Sequence, residues 1–219
     1  MKTPIQAIGT TISLIAEKEG LDIAFSSIWE VLENGAKSSS KPFHYCSLAT
    51  VKAGVPSQRT MVLQKVTNAR QNVNRTFRFH ADSRSPKVDH VIHASTVANA
   101  SCLWYEPGHK LQIRANGHLS MTSKSETRAT WEGEMNSLAR RCYFSPVPPS
   151  SAIRSFNELR KNHEKMINDN ELSSGVAENF SILDFKVDSL EFLVLGIHGH
   201  IRAKQYFEER RVNYTWLSP

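Results

Sequence analysis

Hydrophobic positions along the chain recur with two different periods. Leu21, Ala24, Phe25, Ile28 and Leu32 share one helical face, which predicts a helix over 21–33 stopped by Asn34-Gly35. After the polar loop KSSSKP the period shortens to two, and runs 43–51, 57–66, 75–81, 98–105 and 110–121 read as strands. Ala53-Gly54 marks the turn between the first two. In the fifth run Leu111, Ile113 and Ala115 alternate with Gln112, Arg114 and Asn116. A helix from Ser85 interrupts these strands, because Ser is a good N-cap and Pro86 suits the first helical position. Another helix starts at Ser123, where Glu126 completes a capping box. Residues 144–151 read as a loop, a polar helix follows over about 151–168, and strands over 180–187, 190–201 and 211–217 close the chain.

Strands outnumber helices and do not alternate regularly with them, so the pattern predicts an α+β fold of mainly antiparallel sheet, closed as a β-barrel. No GxGxxG is present, which argues against a dinucleotide-binding Rossmann domain. The 219 residues suit a single domain over 1–219, with 1–20 as an N-terminal extension and 145–179 as a loop and helix inserted between barrel strands. No apolar run reaches the ~20 residues that span a bilayer, and the first twenty residues lack the h-region of a signal peptide. Cys46, Cys102 and Cys142 are odd in number and widely spaced, so a disulfide framework is not expected and a cytoplasmic location is. The net charge of +6 comes from scattered Lys and Arg rather than a block, which favours a local anionic ligand over nucleic acid.

Arg84 and Lys87 flank the start of the Ser85 helix, where the helix dipole disfavours cations. An anion among them would remove that conflict. A charge cluster offset by Asp82 and Asp89 is the plainer alternative. Arg59 stands alone among neutral residues of its strand, on the face of Met61 and Leu63; it is either an edge-strand side chain reaching solvent or a further cation for a phosphate. Gln112 and Arg114 share a polar strand face, and an amide there can donate to and accept from a flat heterocycle. His198 and His200 share one side of a strand, but no third metal ligand is identifiable and no metal is expected. No GxSxG or Cys/His signature points to a hydrolase.

The order PSQRTMVLQ, FRFHADSRSPKV, LQIRANG and LEFLVLG…HGHIRAKQYF…YTWLSP resembles the FMN-binding split-barrel proteins related to pyridoxamine 5′-phosphate oxidase. ENGAKSSSKPFHYCSLATV and RRCYFSPVPP are similar to a bacterial branch of that superfamily. The resemblance implies a six-stranded antiparallel split barrel with flanking helices, forming a homodimer with FMN at the interface. It implies that Arg59 grips the FMN phosphate and that Thr60, Met61, Val62, Leu63 and Gln64 run alongside the flavin. His80 and Ala81 meet the cofactor, while Arg84, Ser85 and Lys87 form the phosphate-binding turn. Gln112 reaches the flavin ring, and Arg202 or Lys204 supplies a further cation.

The departures concern the substrate half. The oxidases carry a lysine where this chain has Gln64, and Lys65, one residue on, points to the opposite strand face. MNSLARRCYFSP does not reproduce their substrate-phosphate pattern, and Leu193 replaces a tryptophan beside the cofactor. The resemblance therefore implies an FMN-dependent oxidoreductase with no assigned substrate or catalytic residue, pyridoxamine phosphate not being expected. The alternative on the same barrel is a non-catalytic carrier of flavin, haem or deazaflavin.

Overall fold

Where the hydrophobic period is strong, the elements form close to their expected limits. The structure, a computed structural model, describes residues 8–68, 75–94, 97–171, 178–197, 199–208 and 211–219. The first helices are α1 (Ile8–Lys18) and α2 (Leu21–Ala36); β1 (Tyr45–Lys52), β2 (Val55–Val62), β3 (Lys65–Asn68) and β4 (Arg75–Asp82) follow. Next come α3 (Pro86–Ile92), β5 (Ala98–Glu106), β6 (Leu111–Met121), α4 (Lys124–Gly133) and α5 (Ser137–Arg140). The chain ends with α6 (Phe156–Glu171), β7 (Phe180–Val194), β8 (Ile201–Glu208) and β9 (Arg211–Leu217).

The described residues form one sheet of nine strands, ordered β2-β1-β5-β6-β7-β4-β3, with β8 on β7 and β9 on β8. The ladders β1–β2, β1–β5, β3–β4, β5–β6, β7–β8 and β8–β9 are antiparallel, as an α+β fold with local connections requires. The sheet has more strands than the six implied by the resemblance, partly because the run 57–66 is divided. The Leu63 amide still continues the β1–β2 register onto His44 O, whereas the Gln64 amide turns to Arg78 O, and β3 then pairs with β4.

Four further differences have local causes. The run 180–194 is one strand: Val187 and Ser189 are buried and Asp188 is exposed, so the alternation continues through a pair that reads as a turn. Strand β8 has a buried Gln205 at an inward position, which hides its alternation; that amide accepts from Trp29 Nε1 at 2.9 Å. Helix α2 continues past Asn34 to Ala36, its buried Gly35 lying against the backbone of Pro42 and Phe43. Helix α1 is not expected from sequence; it buries Ile12 and Ala16 and joins α2 at Gly20, whose φ of 109° is left-handed space that favours glycine.

The chain divides into two compact units. The first comprises the described residues of Met1–Phe79, Val97–Leu119 and Phe185–Pro219, the second those of His80–Thr96 and Ser120–Asp184. The first unit's core centres on Phe77, fully buried, with Trp104, Trp29 and Phe185 at ring-centroid distances of 5.2, 5.5 and 5.9 Å. Phe25 of α2 packs on Phe192 at 5.1 Å, fixing that helix to β7. The second unit has its own aromatic core of Trp131, Phe180 and Ile182, with Tyr143 and Phe144 against it. Phe77→Ala removes the ring on which Trp29 of α2, Trp104 and Phe185 meet and is expected to cost about 3–5 kcal/mol, read as a lower urea midpoint in equilibrium denaturation.

Candidate cofactor site

Strand β2 is an edge of the sheet, yet Arg59 does not reach freely into solvent. The β1–β2 register sets Leu48 opposite Arg59 and Thr50 opposite Ser57. The guanidinium donates to Leu48 O at 3.1 Å, Thr50 Oγ1 at 2.9 Å and Ser57 Oγ at 2.8 Å. All three acceptors are neutral. They orient the group without cancelling its charge, and burial pulls its pKa below the ordinary value. Beyond it Thr60 and Gln64 are exposed, Val62 is half-buried, and Met61 and Leu63 are buried in the core.

Gln112 is half-buried on β6, opposite Tyr105, and its side-chain amide has no hydrogen-bond partner among the described residues. Two residues on, Arg114 donates to Glu191 Oε2 at 2.7 Å, while Arg202 Nε donates to Glu191 Oε1 at 2.8 Å. A buried carboxylate thus holds two guanidiniums, one on each oxygen, and Arg202 is already ion-paired. Lys204 is half-buried opposite Glu191 in the β7–β8 register.

In the second unit His80 is half-buried, its ring edge-on to Phe180 at 5.1 Å, and Ala81 is buried. Ser85 occupies the N-cap position of α3 with Pro86 after it, as expected, but its hydroxyl does not cap the helix. It donates instead to Asp82 O at 2.7 Å and accepts from Lys87 Nζ at 3.2 Å. Arg84 grips Asp82 with two prongs, Nε to Oδ1 at 3.0 Å and a terminal nitrogen to Oδ2 at 2.7 Å; it also donates to Ser145 O at 3.1 Å. The Asp82 hydrogen bond raises the Arg84 pKa. The Arg84 half of the conflict at this helix end is therefore relieved inside the protein, and Lys87 lies beside the Ser85 hydroxyl.

Sequence reasoning missed Glu191, Thr50 and Ser57. Glu191 had a signal, a lone acid in the apolar run LEFLVLG; the hydroxyls had none. Arg140 lies 5.3 Å over Trp131 and donates to Trp131 O, so it serves the second unit's core. His198 lies outside the described residues and His200 is exposed. Among the described residues no three His, Cys, Asp or Glu side chains are grouped to hold a metal, and no helix is long and apolar enough to cross a membrane.

Residues 26–123 match the family of the pyridoxamine 5′-phosphate oxidase FMN-binding domain. Two crystal structures share the fold across both chains. A pyridoxamine 5′-phosphate oxidase-related, FMN-binding protein from Nostoc punctiforme aligns with TM-score 0.66 and 22% identity, over 89% of this chain and 96% of that one. PhzG from Burkholderia lata, bound to tetrahydrophenazine-1-carboxylic acid, aligns with TM-score 0.67 and 19% identity, over 100% of this chain and 95% of its own. No curated protein sequence matches the chain. The fold is thus the split barrel of pyridoxamine 5′-phosphate oxidase-related proteins. The segment 26–123 belongs to their FMN-binding domain family, and FMN is the cofactor it takes.

The residues present fit that cofactor: among the described residues no acid pairs with Arg59, and the Gln112 amide has no hydrogen-bond partner. Asp82, by contrast, is structural. Asp82→Asn takes the charge from the Arg84 pair and is expected to destabilise the protein by about 1–3 kcal/mol, measured by urea denaturation.

Proposed function

We propose that the chain is an FMN-dependent oxidoreductase, with FMN bound at the interface of a cytoplasmic homodimer and the whole chain working as one FMN-binding domain. Bound FMN supplies hydride or electron transfer; the protein binds and orients it and sets its electrostatics. The observation that carries this reading is Arg59, a half-buried guanidinium held by three neutral acceptors and so left free to pair with a phosphate. Gln112 is assigned to the flavin ring, and Thr60 to Gln64 to its flank. Ser85 and Lys87 are assigned to the phosphate; His80, Ala81, Arg84, Arg202 and Lys204 take the remaining contacts that the resemblance implies. Arg84 and Arg202 contribute through hydrogen bonds left over from their ion pairs. The loss of the oxidases' lysine at Gln64 turns the substrate away from pyridoxamine phosphate. The ligand of PhzG brings reduced tricyclic carboxylates into the substrate screen.

The purified protein is expected to show the absorbance bands of oxidised flavin and to release FMN on heating. A colourless protein that fails to take up added FMN would overturn the reading, and bound FMN without turnover of any reductant or oxidisable substrate would leave a carrier. Arg59→Ala is expected to weaken FMN binding about 10- to 100-fold, the worth of a hydrogen bond to a charged group. Flavin stoichiometry equal to wild type would remove Arg59 from the site.

A further inference from the structure

The second unit contains a cavity of about 630 Å³ walled in part by Met121, Thr122, Lys124, Arg128, Phe180 and Ser181. Its volume falls in the range of small-molecule sites, roughly 300–1,000 Å³. None of the residues assigned to FMN lines it.

Its polar walls are largely spent on internal bonds. Thr122 Oγ1 donates to Asp184 Oδ2, Ser181 Oγ to Ala81 O and Thr127 Oγ1 to Ser123 O, each at 2.9 Å. What remains for a ligand is the apolar pair Met121 and Phe180. Phe180 belongs to an aromatic cluster, with Tyr143 at 4.8 Å and Trp131 at 5.2 Å. A thioether beside an aromatic ring suits a flat, polarisable body.

Among the described lining residues cations outnumber acids by two to one, with the Asp184 carboxylate taken up by Thr122. Lys124 and Arg128 stand one turn apart on α4 against the single acid Glu178. Lys124 has no acidic partner among the described residues. Arg128 meets Glu132 only at 3.4 Å, with both side chains exposed, a pairing worth little in water.

We propose that this cavity binds a flat aromatic monoanion, its ring against Met121 and Phe180 and its acid group on Lys124 and Arg128. The site is separate from the FMN site and does not require that FMN reading to hold.

The test is isothermal titration calorimetry of the purified full chain with 2-naphthoate and with 2-naphthamide, which keeps the rings and lacks the charge. Naphthoate is expected to bind saturably, one per chain, and about fivefold more tightly than naphthamide, the scale of two solvent-exposed ion pairs. Lys124→Gln with Arg128→Gln is expected to erase that preference and leave naphthamide binding unchanged. Ser125→Trp, at an exposed lining position, fills the cavity and is expected to remove both ligands. No saturable naphthoate binding, or binding that both variants leave unmoved, would overturn the site. Flavin absorbance recorded on the same samples separates the two readings, since naphthoate binding to a protein that takes up no FMN would sink the FMN assignment and leave this site standing.

Discussion

In the β1–β2 ladder Leu48 lies opposite Arg59, and this register brings the guanidinium to the Leu48 carbonyl and the Thr50 hydroxyl. A slip of one residue would send Arg59 to the other face and Met61 out of the core with it. The burial of Met61 and Leu63 therefore fixes the register, and the register fixes the cation. Three neutral acceptors hold the group rigidly while its charge stays whole. That is the arrangement a phosphate needs: orientation provided in advance, neutralisation left to the ligand.

The other arginines show what a neutralised cation looks like in the same protein. Arg84 is closed by both oxygens of Asp82, and Arg114 and Arg202 share the two oxygens of Glu191. A buried carboxylate without such partners would be costly, so Asp82 and Glu191 constrain their arginines as firmly as the arginines constrain them. The Glu191 group crosses from β6 through β7 to β8 and leaves one net positive charge on that face. Arginine count alone thus says little about anion binding; the decisive quantity is which guanidiniums lack an acid.

This also explains what the sequence made legible. The helix α2 and most of β6 were readable because burial there follows one period, and Ser85 was readable from the Ser-Pro pair that starts a helix. Strand β8 was not, because its inward Gln205 is polar and is satisfied by Trp29, 176 residues away. The split between β2 and β3 depends on the Gln64 amide turning from β1 to the Arg78 carbonyl of β4, which no local pattern records. At the site, Arg59 stood out by its isolation in a neutral strand. Its partners, Thr50 and Ser57, are ordinary hydroxyls until the ladder brings them together. The Arg84–Asp82 pair was visible only as one of two readings of the same turn, and the structure closes it internally.

Identities of 22% and 19% with TM-scores of 0.66 and 0.67 show how little sequence this fold requires. Alternation and a few buried aromatics suffice to maintain it, so most positions are free to change with the chemistry performed. In this chain the freedom was used unevenly. Arg59 keeps its charge and its three neutral acceptors, while the resemblance aligns Gln64 and Leu193 with a lysine and a tryptophan of the oxidases. In that alignment an amide at 64 carries one positive charge fewer than a lysine, and a leucine at 193 offers no ring for stacking. On the proposed reading both changes weaken the hold on a phosphorylated, planar substrate of the pyridoxamine phosphate kind and leave Arg59 untouched. A chain that binds FMN through Arg59 and carries those two residues is thus proposed to act on reductants and oxidisable molecules other than pyridoxamine phosphate.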